Sequence, residues 1–326
     1  MKKKKKKKSR RVKINRAFAV DYDFHLPVLL NESIDLLVTD PDGIYIDGTL
    51  GGGGHTEEIL KRLSKRGRVH SFDIDEEAVE HCRKKFWGEL SNGRDSLLVI
   101  HNVPYDKACS IIGTRGKVQG FLLDLGVSSR QLDQSCRGFS YRSDSSLDMR
   151  FGSHGKSAAE FLHAAAEEEL EKVLRIYGEE PFSRNIARRI IERRRTAHPI
   201  STTFGLREVV EQSVPYKLRY KSLSRVFQAL RIAINNELEI LERTLENTLN
   251  ILSPGGRLAV ISYHSLEDRI VKTFFKDYSK ERTDYKIANT MPLLKILTKK
   301  PIVPSKEELL TNPRARSAKL RVAEKL

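Results

Sequence analysis

Apolar positions along this chain change period several times, and each change marks an element. From residue 25, H-L-P-V-L-L-N-E-S-I-D-L-L reads as a turn and a short amphipathic helix, with Leu29, Ile34, Leu37 and Val38 at roughly helical spacing. Asp40-Pro41-Asp42-Gly43 is a turn signal. Residues 44–47 form a short β-rich run that ends in a glycine cluster. Residues 56–64 read as a helix with Thr56 as N-cap and Ile59, Leu60 and Leu63 on one face. Strands follow at 69–73, 97–100 and 118–124, with helices over 76–86 and 105–112 between them. Strand and helix alternating at this spacing predict a parallel, doubly wound sheet.

That rhythm stops after the fourth strand. Residues 136–223 show helical patterns, at 158–165, 167–177 and 182–195, and no convincing strand. One long helix is then predicted from Ser224, with Val226, Leu230, Ile234, Leu238, Leu241, Leu245 and Leu249 three or four apart. Ser253-Pro254-Gly255-Gly256 stops it, and residues 257–263 (R-L-A-V-I-S-Y) form a fifth buried strand. The organisation expected is a basic tail (1–20), an α/β domain in two pieces (21–135 and 224–326), and an inserted helical domain (136–223).

Composition narrows the class. With 326 residues, 39 % of them hydrophobic and 31 % charged, the chain has the balance of a globular protein with a core. No apolar run approaches the ~20 residues of a membrane-spanning helix. The lysine-rich start is not followed by the apolar stretch of a secretory signal. Cys82, Cys109 and Cys136 lie far apart with no C-x-x-C, which points to reduced thiols in a cytoplasm and to no metal site. The formal charge is +16, but eleven Lys/Arg and no acid fall within residues 1–16, leaving +5 for the rest. Such a tail can either neutralise RNA phosphates or serve as a solubilising tract. Deleting residues 2–16 is expected to weaken RNA binding and flatten its salt dependence, as read from binding isotherms over a salt series.

The candidate chemistry gathers at the carboxyl ends of the strands. The first strand runs into D-G-T-L-G-G-G-G-H (47–55); glycines let a backbone approach a ligand, and the next helix offers free N–H groups. Asp73 closes the second strand, where an acid can accept both ribose hydroxyls of an adenosine. Asp75 beside it is equally suited to cap the next helix. No lysine follows the glycines as in a triphosphate loop. Asp47, Asp73 and Asp124 all end strands, and three acids suit a cationic cofactor such as S-adenosylmethionine better than a pyrophosphate such as NAD. The loop L-L-D-L-G-V-S-S-R-Q-L-D (122–133) leaves the fourth strand at the crevice where open α/β sheets bind ligands.

Residues 137–150 mix arginines with Phe139 and Tyr141, a composition able to hold phosphates and stack bases. Residues 182–195 carry six arginines against one acid, either an RNA face or a solvated one. His264, in S-Y-H-S-L-E-D-R, is either a structural hydrogen-bonding residue or a substrate contact.

Together these segments resemble the bacterial 16S ribosomal RNA cytosine-N(4) methyltransferase family, that of ribosomal RNA small subunit methyltransferase H. The resemblance runs from His25 to about Arg321. It rests on H-x-P-V-L-L, Y-I-D-G-T-L-G-G-G-G-H-T, L-L-D-L-G-V-S-S, R-G-F-S, L-D-M-R, F-Q-A-L-R-I, S-P-G-G-R-L, S-x-H-S-L-E-D-R and the closing N-P-R-A-R-S-A-K-L-R. It implies a class I, Rossmann-like S-adenosylmethionine methyltransferase sheet with an all-helical insertion for RNA recognition. It further implies methylation of a cytidine in the decoding region of the small ribosomal subunit. Carried over by position, the cofactor contacts would be Gly53, Gly54, His55, Asp73, Tyr105, Asp124 and Gln131. Tyr105 stands for a family phenylalanine, Arg130 for a usual proline, and Ser146 departs from D-x-P-L-D-M-R. The D-P-P-Y or N-P-P-Y motif of many amino-methyltransferases is absent, so the candidates for contact with the reacting amine are Asp124, Asp148 and His264. The alternatives are a non-catalytic ribosome-assembly factor that binds RNA and, further off, an NAD-dependent oxidoreductase.

Overall fold

The computed structural model describes residues 26–90, 96–113, 117–127, 137–196, 199–284 and 287–326. A seven-stranded sheet organises it, built from β1 (Ile44–Asp47), β2 (Arg68–Phe72), β3 (Leu98–His101), β4 (Val118–Asp124), β5 (Leu252–Ser262), β8 (Leu294–Ile296) and β9 (Lys319–Lys325). A separate two-stranded ribbon joins β6 (Arg282–Asp284) to β7 (Ile287–Thr290). The order in the large sheet is β3-β2-β1-β4-β5-β9-β8. Strands β1 to β5 pair in parallel, and β9 is antiparallel to both β5 and β8. Strand β9 is thus the single reversed strand, the arrangement of a class I methyltransferase sheet. Chain order reverses between β1 and β4, so the crevice at their carboxyl ends is the natural ligand site.

Alternation along the strands divides the sheet into two buried faces. Tyr45, Leu122, Ala259 and Ile261 face one side, where α1 (Leu30–Leu37), α2 (Gly54–Arg62) and α3 (Glu76–Lys85) add Ile34, Leu37, Ile59 and Val79. Ile46, Phe121, Leu123, Leu258 and Val260 face the other. There α5 (Ala108–Ile112), α11 (Glu237–Ile251) and α12 (Ser265–Tyr278) contribute Ala108, Leu241, Leu245, Val271 and Phe275. A short α4 (Trp87–Leu90) follows α3, and α13 (Lys306–Thr311) precedes β9.

The segment between β4 and β5 has its own core. Helices α6 (Ala158–Ala164), α7 (Glu167–Ile176), α8 (Ser183–Arg194) and α9 (Thr203–Ser213) pack around Leu162, Leu170, Ile186, Ile190 and Val210. Helix α10 (Arg219–Asn235) joins them through Leu223, Val226, Phe227 and Leu230. The boundary expected between residues 223 and 224 falls inside α10, whose clustered apolar residues all pack in the core of the insertion.

Two expectations about helices are corrected. The single helix from Ser224 through Leu249 is two helices, α10 and α11, broken at Asn236 with φ 50°. Asparagine tolerates this left-handed conformation far better than a β-branched residue would. Thr56 does not cap α2, which starts at Gly54; its hydroxyl donates to Asp47 Oδ2 instead (2.7 Å). No described helix is long and apolar enough to cross a membrane.

Candidate functional site

A cavity opens at the carboxyl ends of β1, β2 and β4. Its floor is the glycine loop. Gly51 adopts φ 49° and donates its N–H to Asp73 Oδ2 (2.8 Å), while Asp75 N–H donates to Asp73 Oδ1 (2.9 Å). Each oxygen of Asp73 thus receives one amide and keeps capacity for a further donor. Burial, only partly offset by those two amides, pushes the Asp73 carboxyl up to about 6. Gly51, Gly52 and Gly54 line the cavity. Gly53 does another job at φ 75°: a Cβ there would lie 2.5 Å from the Phe86 ring and 3.0 Å from Cys82 Sγ. It lets α3 close against the loop, and it is not among the residues lining the cavity.

Asp47, one of the three strand-end acids, is consumed locally. It is fully buried, accepting from Thr49 N–H (3.1 Å) and Thr56 Oγ1, so it braces the loop. Asp75 caps α3 by accepting from Glu77 N–H (3.2 Å) and also forms an ion pair with Arg137. Arg137 donates as well to the carbonyls of Phe151 (2.6 Å) and Arg150 (3.2 Å), tying the start of the helical insertion to the sheet edge.

Asp124 is held differently. Its N–H donates to Thr49 Oγ1 (2.7 Å), and Oδ1 accepts from the Tyr263 hydroxyl (2.8 Å). Burial and the neighbouring Asp124 charge raise the Tyr263 phenol well above its ordinary value, so it remains a donor. His55 Nε2 donates to the Val28 carbonyl (3.2 Å), leaving Nδ1 3.8 Å from Asp124 Oδ2. Tyr105 completes a wall, its phenol kept protonated by burial.

The opposite rim comes from the break between α10 and α11. Asn235 donates to the Met149 carbonyl (2.8 Å) and accepts from Phe151 N–H (2.8 Å), holding the L-D-M-R segment beside the cavity. Arg231 binds both carboxylate oxygens of Glu237 (2.8 and 2.9 Å). Burial nevertheless pulls Glu237 above the usual carboxylate range. Burial also acts to raise Glu267, but the His264 ring and Arg231 outweigh it and hold Glu267 low. Glu267 Oε2 accepts from the backbone N–H of Tyr263 (2.8 Å) and His264 (3.2 Å). Ligand atoms of Glu237, His264 and Glu267 lie within 4.8 Å of one another, and the Arg231 guanidinium supplies the positive charge that such a group attracts. An Arg231→Met change would strand a buried carboxylate. It is expected to cost ~3–5 kcal/mol of stability in urea unfolding, part of it recovered by adding Glu237→Gln.

Among the residues singled out in sequence, Gly54, His55, Asp73, Tyr105 and Asp124 meet at this cavity. Asp148 does not: Arg150 clamps it with two bonds (2.7 and 2.8 Å) away from the lining. His264 forms the N-cap of α12 in a capping box with Glu267, so it supports the wall from behind. Gln131 lies outside the described residues. Sequence reasoning missed Tyr263, Phe151, Asn235, Glu237 and Glu267 as lining residues. The paired Asn235-Asn236 was the one local sign that a helix might turn there.

The described lining holds five carboxylates, Asp73, Asp75, Asp124, Glu237 and Glu267, and neither lysine nor arginine. Among the described lining residues a pyrophosphate would find no lysine or arginine, whereas an adenosyl sulfonium finds carboxylates, glycine amides and apolar walls that fit it. Residues 23–326 match the family model described as the MraW methylase family. The chain belongs to that family. Among curated relatives, ribosomal RNA small subunit methyltransferase H of Clostridium botulinum (strain Kyoto / Type A2) is 45 % identical over 93 % of this chain and 99 % of its own length. The protein of the same name from Heliobacterium modesticaldum is 45 % identical over 93 % and 98 %, and that from Fusobacterium nucleatum 42 % over 93 % and 98 %. This member of the MraW methylase family therefore aligns with its relatives from end to end, apart from the basic tail.

Proposed function

We propose that the chain transfers a methyl group from S-adenosylmethionine to the exocyclic N(4) amine of a cytidine in 16S rRNA, in the decoding region of the small ribosomal subunit. The observation that carries this reading is the carboxylate-lined cavity at the β1/β4 switch point, whose described lining holds no lysine or arginine, in a chain 45 % identical to rRNA methyltransferases. Asp73 would accept the ribose hydroxyls, with Gly51, Gly52 and Gly54 against the cofactor and Tyr105 beside it. When bound, S-adenosylmethionine supplies an electrophilic methyl carbon.

A cytosine amine is a poor nucleophile because its lone pair is delocalised into the ring. Asp124, oriented by the Tyr263 hydroxyl, would accept a hydrogen bond from that amine and aim its lone pair at the methyl carbon. With S-adenosylmethionine bound, a C–N bond would form as its C–S bond broke, and Asp124 or water would take the extra proton from nitrogen afterwards, so no strong base would be needed. A paired amine is out of reach, which requires an unpaired or flipped cytidine. We place the reaction in the cytoplasm, consistent with the free Cys82 and Cys109.

The test is methyl transfer from labelled S-adenosylmethionine to small subunits lacking the modification, with nucleoside analysis of the product. N(4)-methylcytidine at one position is expected. Subunit binding without any transfer would instead identify a non-catalytic assembly factor.

A further inference from the structure

The arginine-rich helix α8 reads from sequence as either an RNA face or a solvated one, and much of its charge is spent inside the helical unit. Arg189 bonds Gln212, Arg193 pairs with Glu208 (3.3 Å), Arg194 donates to backbone carbonyls of Leu162 and Ala165, and Arg188 lies 3.8 Å from Glu192. A different surface has the opposite character. Where α9 passes to α10, the run Y-K-L-R-Y-K (216–221) leaves Tyr216 81 % exposed and Tyr220 65 % exposed. Tyrosines normally bury most of their ring, so two neighbouring open rings have a use or a cost.

These rings are not loose. Tyr141 meets Tyr220 edge-on at 5.8 Å and the buried Phe227 at 5.3 Å, and its hydroxyl bonds Ser224 (2.9 Å). The Arg219 guanidinium lies 5.2 Å from the centre of the Tyr216 ring. The Tyr141 hydroxyl and Arg142 hold the Tyr220 phenol below its ordinary value, which places a further cation at this ring. No acid occurs in the sequence between Glu211 and Glu237. Among the described residues, exposed Lys217 and Lys221 enter no ion pair. Open rings framed by cations match a stacking platform for single-stranded nucleic acid, in which rings take bases and cations take phosphates. An apolar peptide would gain nothing from the cations, and an acidic one little from the rings.

We propose that Tyr216 and Tyr220, with Lys217, Lys221 and Arg142, bind an unpaired RNA segment flanking the target cytidine. This rests on the proposed rRNA substrate and extends it. The platform and the cavity sit toward opposite ends of α10: Tyr220 and the cavity-lining Asn235 are fifteen residues apart, roughly 22 Å along the helix. The enzyme therefore grips the strand several nucleotides from the base it modifies, and α10 fixes the spacing.

The test uses the full chain. Tyr216→Ala/Tyr220→Ala is expected to raise KM for unmodified small subunits about tenfold, ~1.4 kcal/mol. S-adenosylmethionine affinity, melting temperature and kcat at saturation should stay close to those of the parent. Tyr216→Phe/Tyr220→Phe, which keeps the rings, should restore KM. A single-stranded oligoribonucleotide probe should bind the alanine variant about tenfold more weakly. Lys217→Gln/Lys221→Gln should reduce the salt slope by about 1.4, at 0.7 per phosphate contact. An unchanged KM and unchanged probe binding would overturn the proposal. So would weakened subunit binding with unchanged probe binding, which would assign the surface to a protein of the subunit. Failure of the parent chain to methylate any subunit would defeat the proposed activity, while the probe measurement would still decide the platform.

Discussion

Asp124→Asn is expected to slow methyl transfer about 10²-fold, ~2.7 kcal/mol, at saturating S-adenosylmethionine, with cofactor affinity changed only a few-fold. The amide keeps the size of the carboxylate and can still accept from the Tyr263 hydroxyl, whose bond to Oδ1 is 2.8 Å. What it loses is the second acceptor: an NH2 group would face the donor amine of cytosine. The loss should appear in kcat more than in KM, because the amine's hydrogen bond strengthens as nitrogen gains positive charge. Single-turnover transfer to unmodified subunits measures it. Tyr263→Phe, which frees Asp124 to rotate but leaves its charge, should cost about tenfold, a typical charged hydrogen bond. A wild-type rate in the asparagine variant would remove Asp124 from contact with the amine.

Asp73→Asn should weaken S-adenosylmethionine binding by 10²–10³-fold, about 3–4 kcal/mol, because two ribose hydroxyls would each lose an ionised acceptor. The pH dependence sharpens this expectation. Burial raises the Asp73 carboxyl to about 6, so it takes up a proton some two units earlier than an ordinary aspartate as pH falls. Cofactor affinity is therefore expected to be flat above neutrality and to fall about tenfold per pH unit below about 6. Stability of the ligand-free protein should move the other way at this residue. With a raised acid pKa, the folded state binds more protons than the unfolded chain between 3.8 and about 6, so the residue's destabilising contribution is present above 6 and is relieved as pH falls through it. Calorimetric titrations and thermal melts between about pH 5 and pH 8 read both trends, and the asparagine variant should flatten both. Affinity that holds constant down to about pH 5 in the parent chain would mean that Asp73 does not hold the ribose.

Sequence by itself determined what local pattern can carry. Apolar runs located β1 to β4 to within a residue, whereas β5 begins at Leu252, five residues before the run expected from Arg257, and takes in the Pro254-Gly255-Gly256 stretch read as a stop; the strand–glycine–helix junction located the cofactor loop. The acids at strand ends pointed to a cationic ligand. Local pattern failed where an element draws its stability from distant partners. Strand β9, K-L-R-V-A-E-K, is not among the strands expected, yet it is sandwiched between β5 and β8 with Asp268 meeting Arg321 (2.7 Å). The unbroken apolar spacing from Val226 to Leu249 gave no reason to divide α10 from α11. The division is made by the two cores that those helices serve, one in the insertion and one against the sheet.

The roles of individual carboxylates belonged to the tertiary structure alone. Asp47, Asp73 and Asp124 are equivalent as strand-terminal acids in the sequence. Only packing turns the first into a brace for Thr49 and Thr56, half-satisfies the second with two amides, and leaves the third facing the cavity with a tyrosine 139 positions away behind it. Asp148 and His264 are paired with neighbours two and three residues along, Arg150 and Glu267, and are not among the described lining residues, which a spacing argument cannot foresee. Spacing tells which groups are able to meet; burial and hydrogen-bond saturation decide which of them remain available to a ligand.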